Sequence, residues 1–158
     1  MTAEEFNALF RAQLAEITRF LARRLPSEAV EDVAADLFAL AWDKRSSIPK
    51  DLELPWLYKS ARYLIANYHR KELGRANIFA TLQEPIAAPS AESLALADLE
   101  LSEAWQQLAP KDREALGLWA FEGLEPAAIA IALGLSTNAV NIRLTRAKKN
   151  LLALLEKN

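Results

Sequence analysis

The sequence predicts an all-α protein with two small helical domains joined by a linker. Apolar residues recur at steps of three and four along most of the chain, and strand-like alternation is absent. The pattern changes between residues 76 and 91, where Pro85 and Pro89 interrupt a stretch without helical periodicity. We therefore expect domains at residues 1–75 and 92–158, each near the lower size limit for a single core, with residues 76–91 as the linker.

The first domain contains three predicted helices. Thr2 and Glu5 have the spacing of a capping box, which opens the first helix. Pro26-Ser27 ends it, and Ser27 is predicted to cap a second helix that reaches about Trp42 or Lys44. After a loop at residues 46–51, a third helix runs from about Leu54 to Leu73 and stops at Gly74.

The linker and the second domain follow. Some of the linker is expected to dock on a surface, because it carries apolar side chains at Ile78, Phe79, Leu82 and Ile86. Four further helices are predicted, bounded mainly by proline and glycine. They run from about Glu92 to Leu108, from Pro110 to near Gly123, from Pro126 to Gly134, and from a Ser136 cap to about Leu155.

Composition excludes several classes of protein. The chain has no cysteine, no window of 18 uncharged apolar residues, and an acidic start, MTAEEFNALF, unlike a signal peptide. A cytoplasmic protein without a membrane span is therefore expected by default; the alternative is an extracellular protein whose leader has been removed. One histidine, His69, and no clustered carboxylates leave no catalytic constellation, so we expect no enzyme, no cofactor and no metal site.

The net charge of −2 conceals alternating blocks. Residues 25–43 contain five acids and no Lys or Arg, while residues 54–75 and 126–158 each contain five bases against one acid. Two basic blocks suit two contacts with a polyanion, and the acidic block suits a basic protein partner. The alternative is that each block is simply a solvated helix face.

The last two predicted helices have the spacing of a helix-turn-helix. Small and apolar residues line the predicted interface: Ile129, Ala130, Leu133, Gly134, Leu135, Val140 and Leu144. One face of the last helix is predicted to be buried and carries Val140, Leu144, Ala147 and Leu151. The opposite face carries Asn138, Asn141, Ile142, Thr145, Arg146 and Lys149. Asn, Arg and an apolar side chain suit base edges, phosphates and thymine methyls in a major groove. A helical hairpin whose polar face meets only water remains the alternative.

The third helix carries a second candidate nucleic-acid surface. Rings and bases interleave along one predicted stripe, formed by Trp56, Lys59, Tyr63, Asn67 and Arg70. The predicted core stripe opposite it is Leu57, Ala61, Leu64 and Tyr68. Aromatic rings stack on unpaired bases while Lys and Arg hold phosphates, which is typical of single-strand binding. The alternative is that Trp56 belongs to the core and Tyr63 is an ordinary surface ring.

Three segments, in the right order, resemble sigma factors of the extracytoplasmic-function (ECF) group. LAPKDREALGLWAFEGLEPAAIAIALGLSTNAVNIRLTRAKKNL (Leu108–Leu151) is similar to sigma region 4, VEDVAADLFALAW (Val30–Trp42) to region 2.2, and PWLYKSARYLIANYHRK (Pro55–Lys71) to region 2.4. The resemblance implies a region 2 helical bundle and a region 4 helix-turn-helix. It implies binding to core RNA polymerase, through its beta-prime clamp helices and beta flap, and to promoter DNA. It also implies control by an anti-sigma factor.

The resemblance assigns residues to three interfaces. The polymerase-binding set is Glu31, Asp32, Asp36 and Phe38. The set for the −10 element is Trp56, Lys59, Arg62, Tyr63, Asn67, Arg70 and Lys71, with residues 46–54 as the loop that captures a flipped base. The set for the −35 element is Ser136, Thr137, Asn138, Asn141, Ile142, Arg143, Thr145, Arg146 and Lys149.

The chain departs from the family pattern at several positions. Ala35 replaces a glutamine in region 2.2, and Glu125 and Ala128 replace the usual serine and glutamate before the helix-turn-helix. Unusual residues also stand on the DNA-facing stripes: Tyr63, Asn67, Asn141 and Ile142. Two other functions fit part of the chain. A sigma mimic would bind an anti-sigma factor without DNA, although the basic residues are retained, and a dimeric helix-turn-helix regulator would leave the region 2 motifs without a role.

Overall fold

The computed structural model describes residues 1–74 and 85–157, and every regular element in those ranges is helical. The all-α prediction is therefore confirmed for the described chain. The helices are α1 (Ala3–Ala22), α2 (Ser27–Asp43), α3 (Glu53–Glu72), α4 (Leu99–Gln107), α5 (Pro110–Ala120), α6 (Pro126–Leu133) and α7 (Thr137–Lys157), with a 3-10 turn at Arg45–Ser47. They form two compact units, Met1–Ala87 and Ala88–Asn158.

In the first unit, α1, α2 and α3 pack against one another. The capping box at the start of α1 is confirmed, because Glu5 N donates to Thr2 Oγ1 at 3.1 Å and Thr2 N donates to Glu5 Oε2 at 3.0 Å. The rings of Phe20 and Tyr58 meet at 4.6 Å in the core. The other fully buried large side chains around them are Ile17, Leu21, Leu37, Leu57 and Ile65.

Two local predictions for this unit are wrong. Ser27 is the first residue of α2 and makes no capping bond, since Pro26 precedes the helix in extended backbone. The core face of α3 matches the predicted stripe at Leu57 and Ala61, which are fully buried, but not at Leu64 and Tyr68. Tyr58 and Ile65 are fully buried, whereas Leu64 and Tyr68 are only half-buried. Helix α3 contacts both α1 and α2, so its buried face covers two adjacent rows of side chains instead of one stripe.

In the second unit, α7 packs against α4, α5 and α6. Helix α4 begins at Leu99, not near Glu92, because Asp98 accepts the Leu101 amide at 3.1 Å and caps the helix there. Upstream, residues 91–95 form turns in which Ser90 and Ser93 hydrogen-bond to each other and Ala95 has a φ of +51°. Serine side chains that bond locally to the backbone compete with helix formation.

The predicted linker is described only at its C-terminal end. Ile78, Phe79 and Leu82 lie outside the described residues, so their expected docking has no structural counterpart here. The backbone of residues 85–87 packs within the first unit, and Ala87 is 2% exposed. Pro89 and Ala91 are buried within the second unit, where Trp105 Nε1 donates to Pro89 O at 2.9 Å.

Candidate nucleic-acid and polymerase interfaces

Helices α6 and α7 meet at a sharp turn, with a bend of 102° between them. Gly134 ends α6 in the left-handed conformation, at φ 67° and ψ 36°, which glycine adopts without strain. Leu135 N then donates to Ala130 O at 2.9 Å, which closes the turn. Ser136 Oγ accepts the amide of Ala139 at 3.1 Å and caps α7. These bonds set the direction in which α7 leaves the turn.

Helix α6 begins after Glu125, which stands where the family pattern has a capping serine. Its side chain makes no capping hydrogen bond, and Pro126 occupies the first helical position. Proline suits this position because its missing N–H would have no partner inside the helix. The helix-turn-helix therefore forms with a proline start in place of a side-chain cap.

Helix α7 buries one face and exposes another. Val140, Leu144 and Ala147 are buried against the rest of the unit. Most of the predicted −35 set is exposed, and Arg143 is half-buried; the exposed members are Ser136, Thr137, Asn138, Asn141, Ile142, Thr145, Arg146 and Lys149. Ile142 is 45% exposed. The structure thus brings amide, hydroxyl, cationic and aliphatic groups together on one accessible helix face.

Further contacts hold α7 against the unit. Lys148 Nζ lies 3.9 Å from the ring centroid of Trp119, an arrangement in which the cation faces the electron-rich ring. Asn150 Nδ2 donates to Asp112 Oδ2 at 3.1 Å. Sequence reasoning missed both contacts, because each joins residues from different helices and leaves no local pattern.

Most of the predicted −10 set is accessible on α3. Tyr63 is 48% exposed. Lys59, Asn67 and Lys71 are also exposed, whereas Trp56 and Arg70 are half-buried. The guanidinium of Arg70 donates to the side-chain oxygen of Asn67 one turn away. The exposed part of α3 therefore combines one large ring with cationic and amide groups.

Arg62 is the member of this set that the structure places differently. It is 3% exposed, and one of its terminal nitrogens donates to Pro85 O at 2.7 Å. In this structure the guanidinium is therefore bound to the chain's own backbone. A bond between residues 23 positions apart cannot be read from helical spacing.

Two titratable rings, those of Tyr68 and His69, lie near the C-terminal end of α3. Partial desolvation, followed by the negative charges of Glu72 and Glu28, raises the pKa of the Tyr68 phenol. Tyr68 stands edge-on to the ring of His69 at 5.6 Å. His69 Nε2 lies 3.1 Å from the carbonyl oxygen of Arg24 and is thereby tied to the end of α1.

The loop before α3 is short and partly ordered by its own packing. Ile48 is buried, and Asp51 has a φ of +67° where the chain turns into α3. The Arg45 guanidinium lies 3.9 Å from the Trp42 ring centroid and donates to Trp42 O at 2.7 Å. Arg45 and Lys50 border a cavity of about 620 Å³ beside the start of α1.

The predicted polymerase-binding residues divide into two groups on α2. Glu31, Asp32 and Asp36 are exposed and form an acidic face. Phe38 is 6% exposed, and its ring stands edge-on to the ring of Phe10 at 4.8 Å, so it is buried within the first unit. An aromatic residue four positions from buried Ala34 continues the apolar side of α2, and this explains its burial.

Each unit also has an apolar groove that sequence reasoning missed. A groove of about 440 Å³ lies between α1 and α2; its lining includes Phe10, Leu14, Val30, Ala34 and Ala35. A groove of about 380 Å³ in the second unit is lined by Leu96, Leu101, Trp105, Leu116, Trp119 and Phe121, among others. Phe10 and Leu14, two apolar positions of the predicted first helix, are each 37% exposed.

The described residues contain neither a spanning helix nor a metal cluster. Across residues 1–74 and 85–157, no single helix is long and apolar enough to cross a membrane, and α6 with α7 reaches that length only as a bent pair. Within the same ranges, no three His, Asp or Glu side chains lie close enough together to hold a metal ion.

Comparison with known proteins identifies the family of this chain. Residues 98–151 match the family model for sigma-70 region 4. The chain is 32% identical over 143 residues to the RNA polymerase sigma factor NccH of Alcaligenes xylosoxydans xylosoxydans, covering 84% of this chain and 76% of that protein.

Two solved structures share the fold. Sigma factor RpoE of Bartonella quintana, in complex with the anti-sigma factor NepR, superposes with a TM-score of 0.65 at 23% identity over 98% of both chains. CnrH, in complex with the cytosolic domain of CnrY, also superposes with a TM-score of 0.65. The identity is 23%, and the match covers 99% of this chain and 91% of that one. Together with the identity to NccH over most of its length, these matches show that the chain belongs to the ECF group of the sigma-70 family of RNA polymerase sigma factors.

Proposed function

We propose that this sigma factor directs promoter-specific transcription initiation through three surfaces. They are the exposed face of α7, the exposed stripe of α3, and the acidic face of α2. The observation that carries the proposal is the helix-turn-helix in the second unit, whose second helix turns Asn141, Ile142 and Arg146 outward. Sigma factors as a class regulate transcription rather than catalyse a reaction, and we propose the same role here. Core polymerase and promoter DNA as ligands place its action in the cytoplasm.

We assign the −35 element to the exposed face of α7. In a helix-turn-helix, the second helix enters the major groove and its N-terminal residues reach base edges. Asn141 and Ile142 suit an adenine edge and a thymine methyl, and Arg146 suits guanine or a phosphate. The exposed side chains at the N-terminus of α7, from Ser136 to Asn138, would contact the backbone, where the helix N-terminus attracts phosphate.

We assign the −10 element to the exposed stripe of α3. Tyr63 offers a ring on which an unpaired base can stack, and Lys59 and Lys71 flank it with positive charge. Trp56 is half-buried, so only part of its ring is available to a base. The loop at residues 46–54 joins this surface as the place where a flipped base would be received.

We assign core polymerase to the acidic face of α2. Glu31, Asp32 and Asp36 are exposed, and charged faces of this kind accelerate association with a basic partner. Regions 2 and 4 would contact the beta-prime clamp helices and the beta flap, respectively. Ala35 stands within the α2 surface and lines the adjoining groove, so this contact would be less polar than in relatives with glutamine there.

We also propose control by an anti-sigma factor. RpoE, which shares the fold, is held by one in its solved complex. The apolar grooves of the two units are surfaces suited to a partner's amphipathic helices, because groove-bound helices insert apolar anchors spaced three and four residues apart.

Separating the DNA and polymerase surfaces tests the proposal. Arg146→Ala is expected to lower promoter-dependent transcription while core polymerase still binds the variant with unchanged affinity. Arg11→Ala, which removes an exposed arginine of α1, is the matched control and should leave both unchanged. Loss of polymerase binding in Arg146→Ala would instead assign α7 to the polymerase, and unchanged transcription would remove Arg146 from the −35 surface.

A further inference from the structure

Two buried arginines of the first unit hold the backbone of one short segment, residues 85–87. Arg24 Nε donates to Ala87 O at 2.8 Å, and Arg62 donates to Pro85 O at 2.7 Å. Arg24 follows the end of α1, whereas Arg62 lies in the middle of α3. Side chains from two separate elements thus bind carbonyl groups two residues apart.

Burial makes these bonds important to both partners. Arg24 and Arg62 are 5% and 3% exposed, and Ala87 is 2% exposed. A guanidinium removed from water needs hydrogen-bond acceptors in its place, because an unsatisfied buried charge is strongly unfavourable. Arg24 also donates to Phe20 O at 3.0 Å and lies 3.8 Å from the Phe20 ring centroid. The segment therefore covers the two cations and supplies part of their solvation.

The segment is suited to dock and undock as a unit. Pro85 has a fixed φ and no N–H, so the segment loses less entropy on docking than a flexible one and buries one fewer donor. Among its attachments are the hydrogen bonds from Arg24 and Arg62 and the buried methyl of Ala87.

The position of Arg62 connects this contact to α3. It follows Lys59 by three residues, directly precedes Tyr63, and is the one member of the −10 set that is buried. A phosphate offers a guanidinium a charged and bidentate acceptor, and such a bond is stronger than one to a neutral carbonyl. Promoter phosphate and Pro85 are therefore competing ligands for the same side chain.

We propose that Arg24, Arg62 and residues 85–87 form a latch that withholds the Arg62 guanidinium from DNA until promoter binding releases the segment. The latch rests on the proposed function, because the competing ligand is the −10 strand. In the latched state Arg62 binds Pro85, and in the open state it binds phosphate while residues 85–87 leave the surface.

The absence of cysteine from the chain permits a direct measurement. Ala87→Cys places a single thiol in the latch, and Ala97→Cys places a matched thiol at an exposed position. In the free protein, a maleimide should label position 87 at least about tenfold more slowly than position 97. Arg24→Gln and Arg62→Gln, each added separately, should raise the labelling rate at position 87 toward that of position 97. The labelling rate at position 97 should not change. Circular dichroism would confirm that each variant is folded.

The second arm uses the complex with core polymerase and a randomised single-stranded 20-mer as the DNA probe. Mass spectrometry of the labelled peptide should show at least about tenfold faster labelling at 87 when DNA is added. Equal labelling at 87 and 97 in the free protein would overturn the latch. Slow labelling that DNA does not accelerate would overturn its opening by DNA. The free-protein arm needs neither polymerase nor promoter, so its result is independent of any failure of transcription.

Discussion

Ser136 Oγ accepts the backbone amide of Ala139 at 3.1 Å, and this bond fixes the first turn of α7. It lies directly after the turn at Gly134, so the same few residues close α6 and start the helix that we assign to DNA. A local capping bond therefore sets where α7 begins and which side chains stand in its first turn.

Removing the cap should destabilise the second unit. Ser136→Ala is expected to lower the free energy of unfolding by about 1 kcal/mol, the usual value of a serine N-cap, in a denaturant titration. Ser136→Asp retains an acceptor for the Ala139 amide and should unfold like the original protein. The aspartate adds a negative charge to the proposed phosphate contact, so its duplex affinity should nevertheless fall. Equal stability of Ser136→Ala and the original protein would show that the cap contributes nothing.

Ile142 should influence promoter choice without supporting the fold. It is 45% exposed, so Ile142→Ala is expected to change the free energy of unfolding by less than about 0.5 kcal/mol. Selection of bound duplexes from a randomised pool should show a weaker preference for thymine at one position. Leu144→Ala is the contrasting variant, since Leu144 is 4% exposed and its truncation should cost about 2–5 kcal/mol. An unchanged preference in Ile142→Ala would remove this side chain from base recognition.

Tyr63 should contribute to single-strand binding through its ring. Tyr63→Ala is expected to weaken binding of a −10 single strand in the polymerase complex by about 1–3 kcal/mol, the range for a base stacked on an aromatic side chain. Tyr63→Phe keeps the ring and should retain most of the affinity, as measured by fluorescence anisotropy. An equal loss in both variants would point to the hydroxyl, and no loss in either would exclude stacking on Tyr63.

The acidic face of α2 should bind polymerase with a clear salt dependence. Asp32→Asn and Asp36→Asn together are expected to slow association with core polymerase and to reduce its dependence on ionic strength, because steering by exposed charges is screened by salt. Asp43→Asn, at the C-terminal end of the same helix, is the control. Association rates that do not change would show that these two carboxylates are only solvated.

Local signals in the sequence account for much of this structure. The Thr2 capping box, the glycine at 134 and the Ser136 cap each act within a few residues, and each was predictable from spacing alone. The start of α4 was not predictable from spacing. The helical pattern extends back to about Glu92, but Ser90 and Ser93 bond locally there, and the helix begins only after the Asp98 cap.

The environments of Arg62 and Phe38 depend on partners distant in sequence. The guanidinium of Arg62 donates to Pro85 O, and the ring of Phe38 stands edge-on to that of Phe10. Helical periodicity assigns a residue to a face, but it does not reveal which other segment lies on that face. The candidate interfaces were therefore predictable as helix faces, whereas the exposure of individual members was not.

Transcription by core polymerase with and without this protein, on a library of genomic fragments, tests the central claim most directly. With the protein, the mapped 5′ ends should share two short sequence blocks, near −35 and −10, at a constant spacing. Core polymerase alone should yield no such set. An absence of protein-dependent 5′ ends, while the protein still binds core polymerase, would contradict the account.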